Sequence, residues 1–356
     1  MYRLLCKTQS YEWGSNDDGC VVARFGRKHG AMPPYAEFWM GTHESGHSLL
    51  ESTGARLSTV SGQLPFLFKF LSVSKSLSIQ VHPDAELAAQ LHRSNPSMYR
   101  DPNPKPEMAI ALTETTLLYG FRDDWVDVLH QYKELPCHHS TLKDLVEYLL
   151  TGYNVLSVYK KILDRVGFNP RNKTDELFVM LSEQHPNDTG ALVALFMNCV
   201  TLHPGESVSI GPNVPHAYLS GDIVECMACS DNVVRVGLTN KPKDTNTLLG
   251  CVSYDTLPPL VSDPDENGTY SSGFDEFDVT HRVLSLDEHA VLSCGSDTVL
   301  AVERGSGYVE FEDDYGYLAD SGMVFYVPAG VSFNIYNMSD RLSLWAASKP
   351  GSVRIS

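Results

Sequence analysis

The 356-residue chain lacks the features by which many proteins are assigned quickly to a class. It contains neither a GxGxxG nor a Walker sequence, so the sequence gives no support for nucleotide binding. No apolar run approaches the length of a membrane span, and the segment from Met1 to Lys7 has no apolar core of signal-peptide length. We therefore expect a cytoplasmic protein without a membrane partner.

Positive charge is also scarce. Lys and Arg number 27 against 44 Asp and Glu, which gives a formal net charge of −17. Such an acidic surface disfavours nucleic acids and anionic membranes as partners, because both carry charge of the same sign. An anionic small molecule is still compatible with this composition, since a local basic cleft is enough to bind it.

The eight cysteines have no spacing typical of a disulfide framework, so we expect reduced thiols. Cys226 and Cys229 form a CxxC pair, but the chain has no second CxxC to complete a structural zinc site. Their place in an apolar segment favours two small buried side chains.

Hydrophobic periodicity predicts β-structure interrupted once by helices. Strand-like alternation covers residues 1–122, helical spacing covers 123–198, and strand patterning returns over 199–260. Two prolines and an acidic, glycine-containing stretch then indicate a boundary, after which short strands recur through 261–356. We expect one β-domain with a helical insertion, followed by a second β-domain.

A faint internal repeat supports this division. The segment from Pro204 to His216 and the segment from Asp320 to Phe333 both read as strand, proline turn and strand. The second segment has no histidine at the matching place. A jelly roll duplicated with one metal-free copy explains the pattern.

Four side chains form the strongest chemical signal. Gln80 and His82 are two residues apart on a predicted strand, so both face the same side. Glu107 and His216 fall at the starts of other predicted strands. Two imidazoles, a carboxylate and an amide oxygen suit a zinc ion that keeps a position open for substrate. Because the amide adds no charge, the metal keeps a positive charge suited to Lewis-acid work.

Five segments carry a resemblance to a known family. They are Tyr35–His43, Pro65–Val73, Leu77–Asp84, Lys105–Leu112 and His216–Thr239. Together they resemble the type I phosphomannose isomerases, also called mannose-6-phosphate isomerases, which are zinc enzymes of the cupin superfamily. The resemblance implies a mainly β protein with two cupin-type jelly-roll barrels and an inserted α-helical domain. Residues 1–122 and 199–260 would then form the catalytic cupin domain, and 261–356 a metal-free one.

The resemblance also implies roles for individual residues. One zinc ion per chain would be held by Gln80, His82, Glu107 and His216. The family's essential arginine falls on Arg235, and the carboxylate proposed as its acid or base falls on Glu225. Contacts to the phosphate and the sugar would fall on Ser78, Lys105, Tyr218 and Lys241. The chain departs from the common family pattern at Pro104, where histidine is frequent, and at Asn240, where proline is frequent.

The implied reaction is the reversible isomerisation of mannose 6-phosphate and fructose 6-phosphate through an enediol, which supplies mannose for GDP-mannose. It needs a base near the C–H bond and a group that stabilises charge on oxygen. Our candidate for the base is Glu225, with Asp222 as a rival. Arg235 is a donor to phosphate or to enediolate oxygen, or else a structural ion-pair partner of Asp231 or Asp222. We expect a monomer acting on a small sugar phosphate.

Two other functions remain open from the sequence. Two histidines and a carboxylate also describe the facial triad of an iron-dependent dioxygenase, although a fourth ligand and the segment around Arg235 argue against it. A non-catalytic protein that binds sugar phosphates could have the same fold.

Overall fold

The computed structural model describes residues 1–136, 139–256, 258–311 and 316–355. Its first part is mainly strands with three short helices. In chain order these elements are β1 (Tyr2–Leu5), β2 (Lys7–Gln9), α1 (Val21–Gly26), β3 (Glu37–Gly41), β4 (Leu49–Leu50), α2 (Ser58–Ser61), β5 (Phe66–Val73), β6 (Ile79–Val81), α3 (Ala85–Ser94), β7 (Glu107–Ala111) and β8 (Thr115–Phe121).

A helical segment follows, as the periodicity predicts. It comprises α4 (Trp125–Gln131), α5 (Leu142–Thr151), α6 (Val155–Val166), α7 (Lys173–Gln184) and α8 (Gly190–Ala194). Thr141 caps α5, because its hydroxyl accepts from the Asp144 N–H while the Asp144 carboxylate accepts from the Thr141 N–H. A strand begins at Met197, just inside the end of the range 123–198 over which the sequence shows helical spacing.

The chain then returns to strands, with β9 (Met197–Leu202), β10 (Ser207–Ile210), β11 (His216–Ala228), β12 (Val234–Gly237), α9 (Thr245–Cys251) and β13 (Val261–Ser262). Strands β2, β3 and β5 to β13 make one 11-stranded sheet whose central strand is β11. Within the described residues, no helix is both long and apolar enough to cross a bilayer.

The 13-residue strand β11 turns a corner of this sheet. Its first part pairs with β6 and β8, and from Gly221 onward it pairs with β5 and β7. The register slips between Tyr218 and Ser220, and Gly221 has a φ of 116°, where a Cβ would lie 2.4 Å from the Thr115 hydroxyl oxygen. Only glycine tolerates that conformation and that contact, so the corner is fixed by the sequence.

The remaining strands form a second β-unit. They are β14 (Thr269–Tyr270), β15 (Asp278–Ser285), β16 (His289–Cys294), β17 (Thr298–Arg304), β18 (Ser306–Glu310), β19 (Gly316–Asp320), β20 (Val324–Val327), β21 (Val331–Asn337), β22 (Arg341–Ser348) and β23 (Val353–Ile355). A seven-stranded and a five-stranded sheet share a core that includes Leu292, Leu300 and Phe333. The predicted mainly β fold with two β-units and a helical insertion is therefore confirmed.

Two details concern the boundary between the β-units. Strand β1 pairs with β20 and β4, so the N-terminal residues complete the seven-stranded sheet. Strand β13 pairs with β10 and thus belongs to the 11-stranded sheet. A shared core of aromatic and aliphatic side chains joins the outer face of β3, β5, β7 and β11 to the seven-stranded sheet. The boundary at residues 260 and 261 stays a prediction.

Candidate active site

A cavity of about 540 Å³ opens on the inner face of the 11-stranded sheet. Its walls come from β3, β5, β6, β7, β11 and β12 and from the loops around them. Most of the side chains to which the sequence analysis gives a role lie here, including Ser78, Gln80, Lys105, Glu107, Tyr218, Glu225, Arg235 and Lys241.

Strand register explains how two groups of side chains reach this face. On β3, β5 and β11, Trp39 pairs with Lys69 and Lys69 pairs with Glu225, so the three form one row across the sheet. Beyond the corner of β11, His216 pairs with Gln80 and Gln80 pairs with Arg235. The bend brings these two rows, which lie far apart in sequence, around one cavity.

The four predicted metal ligands come together at the cavity floor. The ligand atoms of His82, Glu107 and His216 all lie within 4.8 Å of one another. Each histidine Nε2 is 3.3 Å from an oxygen of Glu107, and Gln80 Nε2 is 3.4 Å from His216 Nε2. Gln80 and Glu107 line the cavity, whereas both histidines are fully buried behind it.

Hydrogen bonds fix which nitrogen of each histidine is free. His82 Nδ1 lies 2.8 Å from the Asn232 carbonyl oxygen, and His216 Nδ1 lies 3.0 Å from the Val214 carbonyl oxygen. A carbonyl can only accept, so each Nδ1 carries the proton and donates. The Nε2 lone pairs therefore point at Glu107 and are available to a cation.

Burial and nearby charges favour the protonation states in which His82 and Glu107 can bind a metal ion. Burial lowers the pKa of His82 to about 4, so this ring is neutral at pH 7. Burial works against ionisation of Glu107, but Lys105 at 2.8 Å outweighs it and holds the pKa of Glu107 well below its usual range. A neutral imidazole and an ionised carboxylate are the forms that bind metals.

The donor set fits a metal ion. Within the described residues, His82 Nε2 and Glu107 Oε2 are buried without a hydrogen-bond partner, which is costly unless something else satisfies them. The Gln80 amide can present its oxygen to the same point if it turns by 180°. Two nitrogens, one carboxylate and one amide oxygen then surround a single position.

Lys69 is a second centre of charge that sequence reasoning missed. Its Nζ lies 2.7 Å from Glu225 Oε2 and 3.7 Å from Glu37 Oε2, and all three side chains are buried. Burial raises the pKa of Glu225, and Lys69 opposes this shift. Lys69 stands inside the apolar run Pro65–Val73, where a charge is costly unless paired, so the signal was present in the sequence.

Arg235 is a cation without a carboxylate partner in the cavity wall. No ion pair joins it to Asp231, Asp222 or any other acid among the described residues, and its Nε has no hydrogen-bond partner there. Burial lowers the pKa of its guanidinium. The structural ion pair weighed for Arg235 thus has no support in the geometry.

Lys241 and Lys75 add further positive charge to the same cavity, again without an ion-pair partner among the residues described. Lys241 Nζ lies 5.6 Å from the centre of the Tyr11 ring, and burial followed by the neighbouring Arg235 lowers its pKa. Lys105, by contrast, is committed to Glu107 at 2.8 Å. The cavity of this acidic protein therefore contains cations that no acidic side chain of the described residues neutralises.

Ser78 and Tyr218 also line the cavity, as expected of substrate contacts. The Tyr218 hydroxyl is buried without a hydrogen-bond partner in the described part of the chain. Burial, together with the negative charges of Glu225 and Glu107, raises the pKa of Tyr218, so the group is a neutral donor.

Asp222 lies elsewhere. Three residues before Glu225 on the same strand, it faces the opposite side of the sheet, where its Oδ2 accepts from the Val21 N–H at 2.8 Å. It is not among the residues that line the cavity. The prediction that Asp222 takes part in proton transfer therefore has no geometric support, because its carboxylate binds the start of α1.

Known proteins resemble this chain closely. The model of the family described as phosphomannose isomerase type I, catalytic domain, matches residues 1–124. The mannose-6-phosphate isomerase of Schizosaccharomyces pombe is 34% identical, over 98% of this chain and 99% of that protein. The human mannose-6-phosphate isomerase is also 34% identical, over 86% of this chain and 88% of that protein.

Solved structures agree with these matches. A mutant of phosphomannose isomerase from Salmonella typhimurium superposes with a TM-score of 0.85 at 27% identity, over 98% of this chain and 99% of that one. A mannose 6-phosphate isomerase bound with zinc and yttrium superposes with a TM-score of 0.81 at 27% identity, over 97% and 98% of the two chains. With relatives above 30% identity along nearly its whole length, this chain belongs to the type I phosphomannose isomerase family.

Proposed function

We propose that the chain is a zinc-dependent aldose–ketose isomerase that interconverts mannose 6-phosphate and fructose 6-phosphate through an enediol. The observation that carries the proposal is the cluster of His82, Glu107 and His216 at the floor of a cavity that also holds unpaired cations. A metal centre suits the sugar oxygens, and the cations suit a phosphate group. Mannose 6-phosphate made in this way would feed the synthesis of GDP-mannose.

We assign the metal to Gln80, His82, Glu107 and His216. The two free Nε2 lone pairs, the ionised carboxylate and the amide oxygen form a nitrogen and oxygen set of the kind zinc accepts. The zinc-bound solved relative supports the choice of metal. When bound, the ion would act as a Lewis acid towards oxygen atoms of the sugar.

We assign proton transfer between C2 and C1 to Glu225. Its carboxylate lines the cavity on the same face as Glu107, and burial raises its pKa, which makes the ionised form a stronger base. Lys69 at 2.7 Å keeps the carboxylate oriented and ionised before it takes up the proton. The neutral hydroxyl of Tyr218 is available to donate to a sugar oxygen.

We assign the phosphate to two of the cations without ion-pair partners, Arg235 and Lys241, with Ser78 as a hydroxyl donor. A guanidinium offers a planar pair of N–H donors that matches two phosphate oxygens. Lys105 is closer to the metal cluster, and we assign it to the sugar rather than to the phosphate.

A coupled assay tests the proposal. Fructose 6-phosphate formed from mannose 6-phosphate is measured with the purified protein, after chelation, and after zinc is added back. We expect activity to disappear on chelation and to return with zinc. His216→Ala should lose both bound zinc and activity, whereas His281→Ala, which removes a half-buried histidine of the second β-unit, should keep both. Oxygen uptake with ferrous iron in place of isomerisation would overturn the proposal in favour of a dioxygenase.

A further inference from the structure

Two loops that lead to the metal cluster are joined by a dense set of hydrogen bonds. One loop, residues 100–104, runs into Lys105 and Glu107. The other, residues 229–232, follows β11 and precedes β12. We call the contacts between Asp101 and Asn103 on the first loop and Ser230, Asp231 and Asn232 on the second the loop bracket.

The Asp101 carboxylate accepts on both oxygens. Ser230 Oγ donates to Oδ1 at 2.8 Å, and the Asp231 N–H donates to Oδ2 at 2.8 Å. Asn232 Nδ2 donates to the carbonyl oxygens of Asp101 at 2.8 Å and Asn103 at 2.9 Å. These bonds hold the two loops at a fixed separation, because the loop 229–232 supplies all four donors and the loop 100–104 supplies all four acceptors.

The bracket ends on a metal ligand. The carbonyl oxygen of Asn232 is the acceptor for His82 Nδ1 at 2.8 Å. That bond selects the tautomer of His82 and the direction of its Nε2 lone pair. The other loop leads to Glu107 at the start of β7, and an oxygen of Glu107 lies 3.3 Å from the same Nε2. One side chain, Asn232, therefore connects the backbone that orients His82 to the backbone that leads to Glu107.

The environment of the Asn232 side chain is not the one that would give the folded protein the greatest stability. It is fully buried, and its Oδ1 has no hydrogen-bond partner among the described residues, which costs free energy. What it gains is two N–H donors aimed at two carbonyls of the opposite loop. Such an arrangement suits a side chain that sets the distance between two segments.

We propose that Asn232 and Asp101 are positioning residues for the metal site, acting through the loop bracket on His82 and Glu107. The inference rests on the proposed function, since it takes this cluster as a zinc site. Partners of metal ligands typically change metal affinity by about 10- to 100-fold when they are removed. Asn232→Ala keeps the carbonyl oxygen that accepts from His82 but removes the side chain that positions it, so we expect the dissociation constant for zinc to rise by about 10-fold, the lower end of that range.

The second β-unit offers a matched control. Asn337 is also buried, and its Nδ2 also donates to two backbone carbonyls, those of Leu284 at 3.0 Å and Ser285 at 2.7 Å. Asn337→Ala removes the same atoms and the same pair of donated bonds in a different sheet, and it also removes the two bonds that Asn337 Oδ1 accepts from Ser339. A purely structural role predicts that both variants lower the melting temperature and that both leave zinc affinity unchanged.

Zinc affinity is measured by competition with a chromophoric chelator, beginning from metal-free protein, and the visible spectrum of the cobalt-loaded protein is recorded alongside. We expect weaker zinc binding and an altered cobalt spectrum for Asn232→Ala, with wild-type values for Asn337→Ala. Asp101→Asn keeps the size of the side chain but replaces one acceptor by a donor, and we expect several-fold weaker binding. If Asn232→Ala does not fold, the zinc affinity of Asp101→Asn tests the positioning role by itself.

Wild-type zinc affinity in Asn232→Ala and Asp101→Asn would overturn the inference and leave the proposed function intact. Equal weakening in Asn232→Ala and Asn337→Ala would overturn it too, because the effect would then follow from loss of stability. Failure of the wild-type protein itself to bind zinc would instead contradict the proposed function, on which the inference rests.

Discussion

Replacing Arg235 by alanine separates function from stability more cleanly than any other single change in the cavity. Arg235 has no acidic partner among the described residues, and burial lowers the pKa of its guanidinium. Its removal leaves no carboxylate unpaired. We expect a melting temperature within roughly 2 °C of the wild type, because none of the common causes of large destabilisation applies.

The expected loss of activity is large by comparison. A hydrogen bond to a charged group contributes about 1.5–3 kcal/mol, and a guanidinium offers two such bonds to a phosphate. Two bonds at the lower end give about 3 kcal/mol, which corresponds to a roughly 100-fold loss in kcat/KM. If Arg235 binds phosphate, the loss lies in KM; if it stabilises the enediolate, the loss lies in kcat.

The coupled assay for fructose 6-phosphate gives both constants, and thermal unfolding gives the stability. Arg282→Ala is the matched control, since Arg282 on β15 also has a buried Nε without a hydrogen-bond partner in the described residues but lies in the second β-unit. It should leave both constants unchanged. A kcat/KM for Arg235→Ala within about threefold of the wild type would refute the reasoning, since the guanidinium would then contact neither phosphate nor enediolate.

Four further outcomes are expected. Glu225→Gln should abolish turnover while zinc content stays at the wild-type level; retained activity would reject Glu225 as the base. Lys69→Met should lower the free energy of unfolding by about 3–5 kcal/mol, because it leaves Glu225 buried without its cation. The double variant with Glu225→Gln should recover much of that loss. Strictly additive losses of stability would contradict a direct pair between the two side chains. Removal of zinc should lower the melting temperature, and adding zinc back should raise it further at each higher zinc concentration. A melting temperature that does not change with zinc would argue against a zinc site in the folded state. In the metal-free protein, burial lowers the pKa of His82 from 6.5 to about 4. Between these pH values the unfolded chain binds more protons than the folded protein. The free energy of unfolding should therefore fall by about 3 kcal/mol as the pH falls from 6.5 to about 4. His82→Gln should remove that part of the pH dependence, and an unchanged profile would exclude His82 as its source.

Much of the site could be predicted because it depends on local rules. Alternation along a strand places Gln80 and His82 on one side, and this needs only the spacing of two residues. The same rule could have excluded Asp222, since three residues along a strand reverse the side that faces the cavity. The spacing of three residues between Asp222 and Glu225 on one strand therefore argues, from the sequence, against a shared place in the cavity.

Other contacts could not be read from the sequence, because they depend on register between distant strands. Lys69 meets Glu225 only because β5 pairs with β11 in the observed alignment, across 156 positions of the chain. A shift by one residue would place the two charges on opposite faces. The pairing of β1 with β20 is equally non-local. Family motifs identify such residues, but motifs by themselves do not say which side chains touch.

The two faces of the same three strands differ in a way that folding alone does not explain. The outer face presents a row of large apolar side chains that pack against the second β-unit, namely Phe38, Phe70 and Val224. One residue further along, the inner face presents Lys69 and Glu225, fully enclosed. A buried ion pair is often no more stable than apolar residues of the same volume, so stability gives no reason to keep these charges. Their position beside the metal cluster does give a reason, because a buried base must be ionised to accept a proton, and a neighbouring cation stabilises its ionised form.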